Sequence, residues 1–162
     1  MIAYMRSLVS IDDREEIKSV HGSDLAPLIG QVKFAITAGV EQEFLRCEEL
    51  AGLEITAAQF VILRNVLRGS AESACDLCHV MDYDRGAMSR MIDRLETKSL
   101  LRRVPLAHTR RSVALEVTAA GKAAFPAMEA CLDRVVTRML KGVTKTQIRE
   151  TQKVLKRMLE NV

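Results

Sequence analysis

Tryptophan is absent from this chain, and the aromatic complement is two tyrosines and four phenylalanines. Proteins that hold single-stranded nucleic acid by stacking bases on exposed rings need more aromatic surface, so that class is excluded. Cysteine is also sparse. Cys47, Cys75, Cys78 and Cys131 are too few to staple 162 residues, and the fold must rest on a core. No apolar run reaches the roughly 18 residues of a membrane-spanning helix. Asp12, Asp13, Glu15 and Glu16 interrupt the N-terminal stretch where a signal peptide would be apolar, which predicts a cytoplasmic protein with reduced thiols. A Gly-rich phosphate loop, a G-x-S-x-G elbow and a His-Glu-x-x-His pair are all missing. No catalytic constellation and no cofactor are therefore expected.

What is present is a helical pattern. A hydrophobic fraction of 48% over 162 residues suffices for one compact domain. Residues 1–23 show no sustained period and read as an arm. From there Leu25, Leu28, Ile29, Val32, Ile36, Val40 and Phe44 recur every three or four residues, predicting a long helix from about Asp24 to Leu50, closed by Gly52. Thr56 with Gln59 is a capping box before Phe60, Leu63, Val66 and Leu67, and Ser73 with Asp76 opens a short third helix. Asp84 is placed to cap a fourth, which buries Met88, Ile92 and Leu95.

After Leu100 the period becomes two. Val113, Leu115 and Val117 alternate with Ser112, Ala114 and Glu116, so they predict a strand, with Leu101–Leu106 as its antiparallel partner and a basic tip at Ala107–Arg111. Thr118 then caps a fifth helix carrying Phe125, Met128, Leu132, Val135, Val136 and Met139. Thr144 with Gln147 caps a sixth, striped by Ile148, Thr151, Leu155, Met158 and Leu159.

Charge is distributed unevenly over these elements. Between positions 85 and 111, eight Lys and Arg residues face only Asp93 and Glu96, giving +6 inside a chain of +3 and leaving −3 elsewhere. A basic stripe confined to one supersecondary unit is the footprint of a nucleic-acid reader. Arg85, Ser89, Arg90 and Arg94 share the face opposite Met88, Ile92 and Leu95. An α-helix fits the major groove, and arginine's planar fork can hold guanine O6 and N7 together. A solvated helix surface is the alternative for such a charge run, and the basic hairpin downstream weighs against it.

The stretch from about Leu25 to Asn161 resembles the MarR family of winged helix-turn-helix transcriptional regulators. The most specific part is Ser89-Arg90-Met91-Ile92-Asp93-Arg94-Leu95-Glu96 followed by Leu101-Arg102-Arg103. The second is Thr109-Arg110-Arg111 leading to Leu115-Glu116-Val117-Thr118-Ala119-Ala120-Gly121. The resemblance implies a mainly α fold of residues 24–162, in which a winged helix-turn-helix (about 56–118) carries a two-stranded β wing. The N- and C-terminal helices (about 24–50 and 119–161) would form a helical dimerisation region. It implies a homodimeric regulator of double-stranded DNA, with Arg85–Lys98 in the major groove and Arg110 and Arg111 at the wing tip reaching the minor groove or its phosphates. Two-fold symmetry then implies a pseudo-palindromic operator, and occupancy across a promoter favours repression. Two positions depart from the family pattern: Thr109 stands where the wing usually has Asp, and Ser99 where the reading helix usually ends in Gly.

The resemblance also implies a small effector, such as an aromatic acid or phenol, for which Ile36, Phe60 and Leu63 are candidate lining residues. The same three serve equally well as core. Cys75-Asp-Leu-Cys78-His79 matches the C-x-x-C-H pattern of haem attachment, but on a helix of a chain without an export signal. Zinc would need four convergent ligands, where one turn supplies at most three. Cys75, in the first turn after Ser73, is a candidate redox thiol, the alternative being an inert exposed one. Cys78 and Met81, Met88 and Met91 read as packing between the two short helices. The competing function is thus a redox-responsive or haem- or metal-binding helical protein built on Cys75, Cys78 and His79.

Overall fold

The computed structural model describes residues 22–105 and 113–161. Among these residues it has six helices and one antiparallel two-stranded sheet. In chain order they are α1 (Gly22–Arg46), α2 (Ala57–Leu67), α3 (Ala74–Met81), α4 (Arg85–Thr97), β1 (Leu101–Pro105), β2 (Val113–Val117), α5 (Ala119–Met139) and α6 (Lys145–Glu160). The chain divides into a unit ending at Ala38 and a second unit from Gly39 to Val162.

In the first unit the apolar stripe of α1 is open to solvent. Leu25, Leu28 and Val32 are exposed, while Ile29 and Ile36 are half-buried. In the second unit Val40 and Phe44 of the same stripe enter the core. The helix stops at Arg46, short of the Leu50 that periodicity predicts, because Cys47 turns extended (φ −83°, ψ 111°) and a 3-10 turn, Glu48–Leu50, follows. That turn drives Leu50 inward to 3% exposure.

Caps set the other boundaries. Thr56 Oγ1 accepts from Gln59 N at 3.2 Å while Thr56 N donates to Gln59 Oε1 at 3.2 Å, and the Ser73–Asp76 and Thr144–Gln147 boxes are formed in the same reciprocal way. Ser73's hydroxyl and the backbone N–H groups of Glu72 and Ser73 hold the Asp76 carboxyl below its ordinary range. These bonds satisfy N–H groups that a helix start leaves open.

The core of the second unit is built where α2, α3, α4 and α5 turn their apolar sides inward. Leu63, Leu77, Met88, Ile92, Leu95 and Met128 are fully buried. Phe60 meets Phe44 edge-on, with centroids 5.9 Å apart, and stacks on Phe125 at 5.5 Å. Ile62 and Cys131, both at 0% exposure, are among the core members that the apolar stripes leave out. Leu77, not Cys78, is the fully buried residue of α3; Cys78, Met81 and Met91 are half-buried.

The strands pair in the register Leu101↔Val117, Arg103↔Leu115 and Pro105↔Val113. Leu101, Leu115 and Val117 face the core, whereas Val113 is exposed. The expected hairpin tip, Ala107–Arg111, lies outside the described residues. At the other end of the hairpin the chain is closely tied. Helix α4 ends in a Schellman turn, with Ser99 N donating to Glu96 O at 2.8 Å and Leu100 N to Leu95 O at 2.9 Å, and Ser99 takes the left-handed φ of +57°. Thr118 N donates to Leu100 O at 3.1 Å. Thr118 Oγ1 donates to Ser99 O at 2.6 Å and accepts from Gly121 N at 3.0 Å, capping α5. A Cβ on Gly121 would overlap the Leu100 carbonyl oxygen and lie 2.6 Å from Val117 Cγ1.

A second tie joins α1 to α5. Glu43, 7% exposed, accepts from Arg134 Nε at 2.9 Å and from Arg138 Nη1 at 2.8 Å. The two guanidiniums hold its carboxyl below the ordinary value of 4.5.

Three stability effects are expected. Gly121→Ala forces α5 away from Leu100 and should cost about 2 kcal/mol in urea unfolding; an unchanged midpoint would mean the junction yields freely. Ser99→Gly removes a Cβ from a left-handed position and should add about 1 kcal/mol in the same assay. The Glu43 clamp is fully present above the ordinary carboxylate pKa of 4.5 and is lost as pH falls through the depressed folded value. Glu43→Gln should therefore lower the melting temperature at pH 7 and flatten its fall below about pH 4.5. Parallel melting curves for the two proteins across that range would assign the acid loss to other groups.

Candidate nucleic-acid interface

The basic helix is positioned by the turn that precedes it. Asp82 takes the left-handed conformation (φ 53°, ψ 53°) at the end of α3, Tyr83 N donates back to Cys78 O at 3.1 Å, and Asp84 Oδ1 accepts from Ala87 N at 2.9 Å to start α4. Three residues thus suffice to reverse the chain between two helices, the arrangement of a helix-turn-helix. Met88, Ile92 and Leu95 on α4 have no exposed surface. Their burial fixes the rotation of the helix, which leaves Arg85, Ser89, Arg90 and Arg94 exposed on the other side.

The basic window separates into two populations. Among the described residues Arg85, Arg90 and Arg94 form no ion pair. Others are engaged in the fold. Arg102 is bound through Nε and Nη2 to Glu116 Oε2 across the strand pair, at 2.9 and 2.6 Å. Arg103 Nη1 bridges Asp93 Oδ1 at 2.8 Å and Glu96 Oε2, and its backbone N donates to Glu96 Oε1 at 2.9 Å. Lys98 Nζ donates to Glu54 O at 2.6 Å and to Gln59 Oε1 at 3.3 Å, joining the end of α4 to the start of α2; burial pushes its ammonium pKa down. The two acids of the window are therefore spent on Arg103, and the net charge of α4's exposed face belongs to its three free arginines.

The sequence could have signalled this division only in part. Arg102 and Glu116 occupy paired strand positions, whereas the bridge from Arg103 to Asp93 and Glu96 follows from how β1 packs on α4. Arg110 and Arg111, together with Thr109, lie outside the described residues. Phe60 and Leu63 are in the core at 2% and 0% exposure, while Ile36 is half-buried on the first unit's part of α1. Cys75 is exposed in the first turn of α3, its Sγ 3.7 Å from His79 Nε2. Among the described residues no group of three or more His, Cys, Asp or Glu is arranged to hold a metal ion. Cys131 is the thiol most altered by its surroundings. Burial pushes it up to about 11, against the opposing pull of Arg134, whose Nη2 lies 3.1 Å from Sγ. Among the described residues no helix is long and apolar enough to cross a membrane.

Comparison with known proteins agrees with this geometry. The winged helix DNA-binding domain family matches residues 55–121, the span from the α2 cap to the Gly121 junction. The multiple antibiotic resistance protein MarR of Escherichia coli (strain K12) is 30% identical over 113 residues, covering 69% of this chain and 78% of that protein. Among solved structures, a cysteine-to-serine variant of E. coli MarR complexed with operator DNA is 25% identical with a TM-score of 0.72, over 84% of this chain and 94% of the other. A MarR-family transcriptional regulator from Rhodococcus sp. RHA1 has the same fold at 14% identity, with a TM-score of 0.72 over 85% and 95% of the two chains. On its helix-turn-helix, its paired wing strands and this relationship, the chain belongs to the MarR family of winged helix-turn-helix transcriptional regulators.

Proposed function

We propose that the protein is a cytoplasmic, homodimeric transcriptional regulator that binds a pseudo-palindromic operator in double-stranded DNA, acting as a repressor by occupying the promoter. The observation that carries this reading is the exposed face of α4. Its three arginines have no ion-pair partner among the described residues, while neighbouring cations are neutralised within the fold. Leaving three like charges unpaired on one helix disfavours the isolated protein, and phosphates or base edges are the partners that would offset it. Arg85, Ser89, Arg90 and Arg94 are the proposed major-groove residues, with Arg110 and Arg111 on the wing strengthening phosphate attraction.

The dimer is supported by α6. None of its residues is buried, although Val154, Leu155, Met158 and Leu159 form an exposed apolar side. A helix with a one-sided apolar stripe is stable when that stripe is covered, and in a two-fold dimer a copy of the same chain covers it. Leu25, Leu28 and Val32 of α1 form a second exposed apolar row, which the dimer would use in the same way. An effector of the aromatic acid or phenol class would have to open the packing of Phe60 and Leu63; Ile36 is the accessible member of that group.

Selection of genomic DNA fragments by the purified protein tests the reading. Wild type is expected to enrich one pseudo-palindrome, and an Arg110→Ala, Arg111→Ala variant to lose affinity on all sequences with a shallower salt dependence. Arg90→Ala should instead relax base preference at one position of each half-site, by about 1 to 3 kcal/mol. Absence of any enrichment at moderate salt would sink the regulator reading, and equal losses on all sequences for Arg90→Ala would move that residue to the phosphates.

A further inference from the structure

Two of the four cysteines stand on the contact between α1 and α5, on elements other than the recognition helix α4. That contact is made in three steps along α1. Gly39 lies so close to α5 that a Cβ on it would be 2.9 Å from Val135 Cγ1. One turn further, Glu43 accepts from Arg134 and Arg138. One turn further again, Cys47 closes the helix and meets Cys131, a turn back along α5 from Val135, and the two thiols are hydrogen-bonded neighbours. The 3-10 turn Glu48–Leu50 that follows packs on the same helix α5 and sends Leu50 into the core. Cys47 is thus held against α5 from both of its chain directions.

The two sulfurs differ in access and in character. Cys47 is half-buried and therefore reachable, whereas Cys131 has no exposed surface. Burial pushes the Cys131 thiol up to about 11, so at neutral pH it is protonated and inert toward reagents in solution. A buried cysteine is commonly core filling. What sets Cys131 apart is a second sulfur beside it and a cation on it: Arg134 Nη2 lies 3.1 Å from its Sγ, and a guanidinium there favours the thiolate in a reaction that forms one.

We propose that Cys47 and Cys131 form an oxidisable dithiol, in which Cys47 meets a hydroperoxide and Cys131 closes it into an intrachain disulfide between the end of α1 and α5. In the first step the Cys47 sulfur attacks a peroxide oxygen. The O–O bond breaks, the sulfur gives up two electrons to become a sulfenic acid, and the alkoxide leaves with the thiol proton as an alcohol, or as water from hydrogen peroxide. In the second step the Cys131 sulfur attacks the sulfenic sulfur. The S–S bond forms, the S–O bond breaks, and hydroxide leaves with the Cys131 proton as water. Two thiols and one hydroperoxide therefore give one disulfide, one alcohol and one water. The new bond stands one helical turn from the Glu43 clamp and fastens the same two elements covalently. Cys75, exposed on α3 beside His79, takes no part in it.

The test treats reduced full-length protein with a small excess of hydrogen peroxide, quenches it with N-ethylmaleimide in denaturant, and maps peptides without reductant. A Cys47–Cys131 peptide pair from a single chain is expected, released by dithiothreitol and formed equally in a Cys75→Ser, Cys78→Ser variant. Cys47→Ser should leave Cys131 reduced under the same treatment. Cys131→Ala should stop the reaction at a Cys47 sulfenic acid that dimedone captures; if this core substitution prevents folding, the Cys47→Ser arm and the wild-type map carry the test. Recovery of Cys47 as a fully alkylated thiol, or as sulfinic acid with no cross-link, would overturn the proposal and leave Cys131 as core filling. Oxidation of Cys131 in Cys47→Ser would overturn it as well, because the core sulfur would then be reached without its neighbour.

Discussion

The carbonyl of Leu100 is the point on which the winged unit depends. It accepts Thr118 N at 3.1 Å and lies where any side chain on Gly121 would stand. Through it the end of α4, the start of β1, the end of β2 and the first turn of α5 occupy one small volume. Several elements of the winged unit are short: α3 has eight residues and each strand five. Short elements gain their stability from packing and from satisfied termini. Thr118 does this for two of them at once, donating to Ser99 O and accepting from Gly121 N. The wing is thereby tied to the recognition helix at its base, whatever contacts its tip makes.

Electrostatics follows from that packing. Once β1 lies against α4, Arg103 is brought to Asp93 and Glu96, and once β2 pairs with β1, Arg102 meets Glu116. These pairs are partly exposed and each adds little to stability by itself. Their larger consequence is selective: they remove acidic groups from the neighbourhood of Arg85, Arg90 and Arg94. A face prepared for polyanions needs its own carboxylates occupied, because an unpaired Asp93 or Glu96 would repel phosphate and offer the free arginines an internal partner. The acidic residues of the basic window thus sharpen its field.

Much of this was legible in the sequence, for reasons that differ by element. Capping residues are local signals, and Thr56, Ser73, Asp84, Thr118 and Thr144 each open the helix their chemistry predicts. Burial of Met88, Ile92 and Leu95 followed from helical periodicity, and Ser99 takes the left-handed conformation at the position where the family resemblance has a glycine. The end of α1 was not legible, because nothing local marks Cys47 as extended; the break is set by Leu50 entering the core. Ile62 and Cys131 were missed for a similar reason, since a helix surrounded by neighbours buries more than one stripe. The free and engaged arginines look alike in sequence, and only the pairing of β1 with β2 and its packing on α4 separates them.

The long helix α5 brings these two levels together. Its first turn is bonded into the recognition unit by Thr118 and Gly121, while Arg134 and Arg138 near its end hold Glu43 of α1. Its 21 residues span about 30 Å at the rise of an α-helix. Between the two anchoring points Ala127, Met128, Cys131 and Val135 are buried, so the helix is supported along its length and does not float between its ends. Gly39 of α1 is packed so closely on it that an added Cβ would be 2.9 Å from Val135 Cγ1. A change in how the second-unit part of α1 sits on α5 therefore cannot be absorbed locally, because close-packed interiors resist continuous deformation. It must either break the Glu43 clamp or move α5, and moving α5 acts on the Leu100 junction that orients α4. Any control of DNA binding exerted through α1 has that route built from residues already in contact, and its cost is set at the clamp and at the junction.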